Sequence, residues 1–236
     1  RLGKTDLDSG LDYGTIAISK YRKSDGTNSW LVTIPGTDGK HDSPFGWPQN
    51  VELMSSDSKQ RMEADSARMV QEAMKQAGIK SNEPVALIGH SQGGIVAATI
   101  ASDLKDDYDI EHVVTAGSPV ANHPIPDKTW VTSVEMDDEL VAALDGAANP
   151  SSDHWLTVRG TASKSSSNQE STFAGTPVTD APDNKEITHW LKYHQAAYQN
   201  ATDMGSTAVN THERHFDEII DGDLQEVMYF EGRMSK

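Results

Sequence analysis

Ser91 stands between Gly89 and Gly93 in the stretch Ile-Gly-His-Ser-Gln-Gly-Gly, and that spacing of residue types could make a nucleophile. Six residues of apolar chain from Pro84 enter this corner, and a segment with helical spacing leaves it toward Leu104. A strand that turns into a helix through Gly-x-Ser-x-Gly turns so sharply that side chains at the flanking glycine positions would clash. The serine hydroxyl is thereby pushed into the open, above the carboxyl end of the strand and at a helix N-terminus whose dipole favours developing negative charge. The main-chain N–H of Gln92 points to the same spot and suits an oxyanion. A plain helix-capping turn with Ser91 as N-cap would use similar residues. The strand before the corner, the helix after it and the doubled glycine favour the nucleophile.

The elements that must hold this corner are legible around it. Thr15 to Tyr21 and Trp30 to Ile34 read as two strands joined through Ser24-Asp25-Gly26, and the second ends in Pro-Gly-Thr-Asp-Gly. From Asp57 to Gly78 apolar residues recur with helical spacing, at Met62, Met69, Val70, Ala73, Met74 and Ala77, and Gly78 is a stop signal. The pattern then predicts strand Val85 to Gly89, helix Gly93 to Leu104, strand Ile110 to Ala116, strand Trp130 to Met136 and strand Trp155 to Val158. Such alternation implies an α/β fold with a mostly parallel sheet, crossover helices and an N-terminal antiparallel hairpin. Residues 160–186, rich in Gly, Ser, Thr and Pro, read as a long surface loop, either a floppy insertion or a lid or rim over a site. Ile187 to Met204 is again helical, and the stretch from Phe216 to Arg233 suits a helix or an edge strand. Nothing divides residues 1–236, so one domain is expected.

Composition removes whole classes of function. Acidic residues outnumber basic ones 36 to 20, a formal charge of -16 that repels nucleic acid and anionic surfaces. The absence of cysteine excludes disulfides, thiol nucleophiles and thiolate metal sites. His212 and His215 fall one residue short of the His-Glu-x-x-His zinc spacing, and Asp-Gly-Asp-Leu-Gln-Glu lacks the calcium-loop spacing, so no metal site and no cofactor are expected. No run reaches the roughly 18 apolar residues of a membrane span.

These motifs together resemble the α/β-hydrolases, and among them the secreted-type bacterial lipases and esterases with a Gly-His-Ser-Gln-Gly-Gly elbow. Val32–Gly39 resembles the oxyanion loop, Val113–Val120 the next strand with its Gly-Ser-Pro ending, and Asp137–Gly146 the segment that holds the triad acid; the likeness spans about Trp30 to Tyr198. It implies a chain order of serine, acid and histidine. An ungapped match places Glu139 at the acid, with Asp138 the alternative across a one-residue bulge. For the base it offers two histidines, each followed four residues later by tyrosine: His194, favoured because it falls on the apolar face of the helix, and His189. The second oxyanion N–H would come from Thr37, with Asp38 the neighbour considered, beside that of Gln92.

The activity so implied is hydrolysis of a small-molecule or lipid carboxylic ester through an acyl-enzyme on Ser91. Acyl transfer, phospholipid or thioester cleavage with the same residues, and a non-catalytic binding module, are the alternatives. Contact with lipid would be transient at most, and no stable protein partner is expected. The chain starts at Arg1, so an export leader removed ahead of it and a secreted or cell-surface location are the expectation, with a cytoplasmic one left open.

Overall fold

The computed structural model describes residues 2–5, 14–37, 42–137, 139–164, 171–173, 176–178 and 189–234. In chain order, β1 (Leu2–Thr5), β2 (Thr15–Arg22) and β3 (Asn28–Ile34) precede three helices, α1 (Trp47–Leu53), α2 (Ser58–Glu63) and α3 (Asp65–Ala77). Then β4 (Pro84–His90), α4 (Gln92–Asp103), β5 (Asp109–Ala116), β6 (Trp130–Met136) and β7 (Trp155–Gly160) alternate, followed by three short strands, β8 (Ala162–Lys164), β9 (Ser171–Phe173) and β10 (Thr176–Val178). Helices α5 (Leu191–Asp203) and α6 (Thr207–Ile220) lead into β11 (Asp223–Gly232).

The main sheet has the order β1-β11-β2-β3-β4-β5-β6-β7. Pairings from β3 to β7 are parallel, and those of β1 with β11, β11 with β2 and β2 with β3 are antiparallel. Central parallel strands are covered on both faces, which is why β4 reads as a continuous apolar run from Val85 to Ile88. Helix α4 is buried from Gln92 through Ser102, and its small residues let it lie close to β4 and β5. The main core joins Ile16, Trp30, Val32, Leu87, Val96 and Met74, and a second cluster under α5 joins Val134 and Val158 to Tyr193 and Ala197. Among the described residues, no helix is long and apolar enough to cross a membrane.

Four expectations change. The helix from Asp57 to Gly78 is two helices, broken at Ala64, whose ψ of 128° leaves the helical region. The break follows the apolar stripe, which is continuous only from Met69 onward, while Arg61 in α2 turns inward to Asp103 at 2.6 Å. The tail holds both elements that were alternatives, α6 and then β11, and β11 lies inside the sheet between β1 and β2 rather than at its edge. Part of the stretch 160–186 is strand: β8, β9 and β10 form a separate antiparallel sheet. Strands of three residues are too short to show a period in a Ser- and Thr-rich sequence. The helix expected from Ile187 starts at Leu191, which decides the site below.

Candidate active site

Ser91 is the one non-glycine residue with positive φ among the described residues, at φ 55° and ψ -125°. Its surroundings impose that conformation. A Cβ on Gly89 would lie 2.2 Å from the Gly93 carbonyl carbon, and one on Gly93 would lie 2.4 Å from the carbonyl oxygen of Ile34. The neighbouring strand fastens the corner from the other side. The Ser91 N–H donates to the Ala116 carbonyl at 2.8 Å, and the Ser118 hydroxyl donates to the Ser91 carbonyl at 2.8 Å. Ser91 occupies the N-cap of α4, yet its side chain makes no capping bond. Its Oγ instead lies 2.8 Å from Nε2 of His189.

The other ring nitrogen of His189, Nδ1, is hydrogen-bonded to Oε1 of Glu139. Glu139 follows β6, held by its N–H to the Met136 carbonyl, and only 7% of it is exposed. Burial pushes its carboxyl group up, but hydrogen bonds from His189 and His194 and their charges outweigh that and hold it down at about 2. Serine, imidazole and carboxylate therefore stand in one hydrogen-bonded line at the carboxyl end of the parallel strands, with the carboxylate ionised at neutral pH. A neutral His189 with its proton on Nδ1 presents a bare Nε2 to the hydroxyl, which is the arrangement that can draw off the hydroxyl proton.

The position beside Ser91 belongs to His189 and not to His194, a correction to the sequence reading. His194 does lie on the inward face of its helix, only 1% exposed. Because α5 begins at Leu191, however, His189 sits in the turn ahead of the helix and reaches the serine, while His194 meets Glu139 from within. Nε2 of His194 lies 2.8 Å from Oε2 of Glu139. Asp138 and Asp38 lie outside the described residues. Asp137 turns away and accepts from the Thr161 hydroxyl at 3.0 Å.

Gly36 lies against the corner: a Cβ there would come within 3.5 Å of Ser91 Cβ and 3.2 Å of the His90 carbonyl oxygen. The loop that carries Thr37 thus passes beside the serine. Gln92 is wholly buried, and its side-chain amide donates to the Gly46 carbonyl at 2.8 Å and to Oδ1 of Asn50 at 3.0 Å. The Asn50 amide in turn donates to the Thr37 hydroxyl at 3.4 Å. Asn50 escaped the sequence reading because it sits on α1, a seven-residue helix opened by Trp-Pro that carries no periodic signal. His90, next to the serine in sequence, turns away from it: its Nε2 reaches the His189 carbonyl at 2.6 Å, propping the main chain of that residue, and burial holds its imidazole down at about 4.

Four further described histidines, His112, His154, His212 and His215, cluster around Trp130. His212 and His215 on α6 meet β5 and β6: His215 lies 3.0 Å from His112, His212 lies 3.1 Å from the Thr132 hydroxyl, and the Trp130 ring stacks between His154 and His215. No group of three or more metal-binding side chains among the described residues could hold a metal ion.

A mixed sheet whose parallel strands carry a sharp serine corner at their carboxyl ends, with helices on its flanks, defines an α/β-hydrolase-type protein. Within that class, the family model for the PGAP1-like alpha/beta domain matches residues 50–173, which is 124 of the 236, and the chain belongs to that family. The match takes in Ser91 and Glu139 and ends before His189. No curated protein and no solved structure matches the chain.

Proposed function

We propose that the protein is a serine hydrolase of carboxylic esters, of the lipase and esterase kind, working through an acyl-enzyme on Ser91. The observation that carries this reading is the hydrogen-bonded line from Ser91 Oγ through His189 to Glu139 at a strained, glycine-walled corner. In the first step Oγ bonds to the ester carbonyl carbon as its proton passes to Nε2 of His189. The C–O bond to the alcohol then breaks, and the leaving oxygen takes that proton. In the second step a water gives a proton to Nε2 and its oxygen attacks the acyl carbon. The Ser91–acyl bond breaks, the carboxylic acid departs, and the proton returns to Ser91. Glu139 keeps the His189 ring in the productive tautomer and faces its positive charge in both steps. The first free N–H groups of α4, with that of Gln92 foremost, and the N–H of Thr37 serve the oxyanion, each supplying on the order of 3 kcal/mol to the transition state.

The test pairs p-nitrophenyl ester turnover with fluorophosphonate labelling. The wild type should hydrolyse the ester and take one adduct, mapped to Ser91. Ser91→Ala should lose turnover by at least about 10³-fold and take no adduct, with thermal unfolding nearly unchanged. Turnover retained in that variant would remove the reading.

A further inference from the structure

Glu139 is gripped by two histidines, and the proposed mechanism uses only one of them. Nε2 of His194 lies 2.8 Å from Oε2 of Glu139, and the side chains of both are 1% exposed. On its other side, Nδ1 of His194 lies 3.1 Å from the carbonyl oxygen of Trp190, one helical turn back. Both partners are acceptors, so the ring is braced between the Glu139 carboxylate on one side and the Trp190 carbonyl on the other. The main chain leaves room for the pair at one further place. Gly117, at φ 58°, passes so close that a Cβ would lie 2.7 Å from Oε1 of Glu139 and 2.8 Å from Nε2 of His194. Glu139 thus has a strand end against it, a donor on each oxygen and no slack.

We propose that His194 is a positioning residue that locks the Glu139 carboxylate through Oε2, so that Oε1 stays aimed at His189 without searching. The proposal rests on the assignment of Ser91, His189 and Glu139 above. A carboxylate held through one oxygen alone can rotate about its last bond and carry Oε1 off the His189 line, and a misplacement on the order of 1 Å in such a relay costs about 100-fold in rate. Because His194 is buried behind Glu139, it touches no substrate. Its loss should therefore appear in kcat and leave KM alone.

The experiment uses two amides of nearly the same polarity. A glutamine at position 194 can present its Nε2 amide where the imidazole Nε2 stood, whereas an asparagine reaches only the Nδ1 position. His194→Gln should keep kcat within about fivefold of wild type. His194→Asn and His194→Leu should drop it on the order of 100-fold, with KM within about twofold in all three. Fluorophosphonate labelling of Ser91 should slow in the same order. If Asn and Leu turn over within twofold of wild type, or if Gln is as slow as Asn while both melt near the wild-type temperature, the positioning role is overturned and the Ser91 mechanism stands. A wild-type protein that neither hydrolyses esters nor labels at Ser91 overturns the mechanism and the positioning role together.

Discussion

Glu139 shows how much one side chain can be made to depend on its neighbours. Its carboxyl group is buried, which alone would favour the neutral form, yet its hydrogen bonds and the facing imidazoles hold it at about 2 instead of the ordinary 4.5. Since the folded value is the lower one, the unfolded chain takes up the proton first as pH falls. The stability that Glu139 contributes is therefore complete above about 4.5 and drains away as pH drops toward 2. Glu139→Gln should remove that share of the acid slope, so unfolding free energies at pH 5, 4 and 3 should converge for wild type and variant; parallel curves would refute the linkage. The same substitution should cut kcat on the order of 10⁴-fold, because an amide cannot hold His189 in one tautomer. Glu139, one of three acids in a row after β6, stood ahead of Asp138 only through the likeness to the family's acid segment, whereas Ser91 and Gln92 could be picked from a local pattern, a glycine-framed corner and a helix start. The choice between His189 and His194 could not. It turns on where α5 begins, and the first turn of a helix with no side-chain cap carries no local mark.

At the scale of elements, the site is an agreement between α4 and α1. Helix α4 sets the N–H of Gln92, and the loop from β3 to α1 sets that of Thr37. The Gln92 and Asn50 side chains tie the two together, although neither would touch substrate. Asn50→Ala should loosen this tie and lower kcat about tenfold with KM little changed, because an oxyanion donor displaced by a fraction of an ångström loses most of its worth. Thr37→Ala should do less, since its hydroxyl only receives a long contact and its main chain remains; steady-state kinetics of both variants, with equal losses, would contradict the order. The long central elements were readable because burial wrote long apolar stretches into them, from Val85 to Leu104 and from Trp130 to Met136. The short ones were not. Helix α1 spans two turns, Ala64 parts α2 from α3 at a residue that itself suits a helix, and β8 to β10 are too brief to alternate.

For the whole molecule, acid is the condition that finds the weak points of the sheet. Burial, before any charge, holds His112 down at about 3 and His90 and His123 at about 4, and it lowers His212 and His215 as well. These side chains sit at separate places in one fold: His112 midway along β5 under α6, His90 at the end of β4 beside His189, His123 in the turn after β5 against Thr99. A histidine kept neutral in the fold takes a proton in the unfolded chain first. Its stability contribution is therefore whole above about 6.5 and is lost as pH falls toward the folded value. Two effects oppose this. Burial raises Glu111 and Glu135, which favours proton uptake by the folded state, and the charge of -16 relaxes its self-repulsion on acidification. At pH 5.5 the self-repulsion has changed little, because ordinary carboxylates are still ionised there, and five lowered histidines outnumber the two raised glutamates, so the histidines win. Unfolding should take up at least about two protons at that pH, which corresponds to stability falling by about 2.7 kcal/mol or more per pH unit. Denaturant unfolding between pH 6.5 and 5 measures this slope directly. His112→Asn should reduce it by about one proton, and a flat curve in the wild type would mean that the buried histidines open to water as readily in the fold as in the unfolded chain.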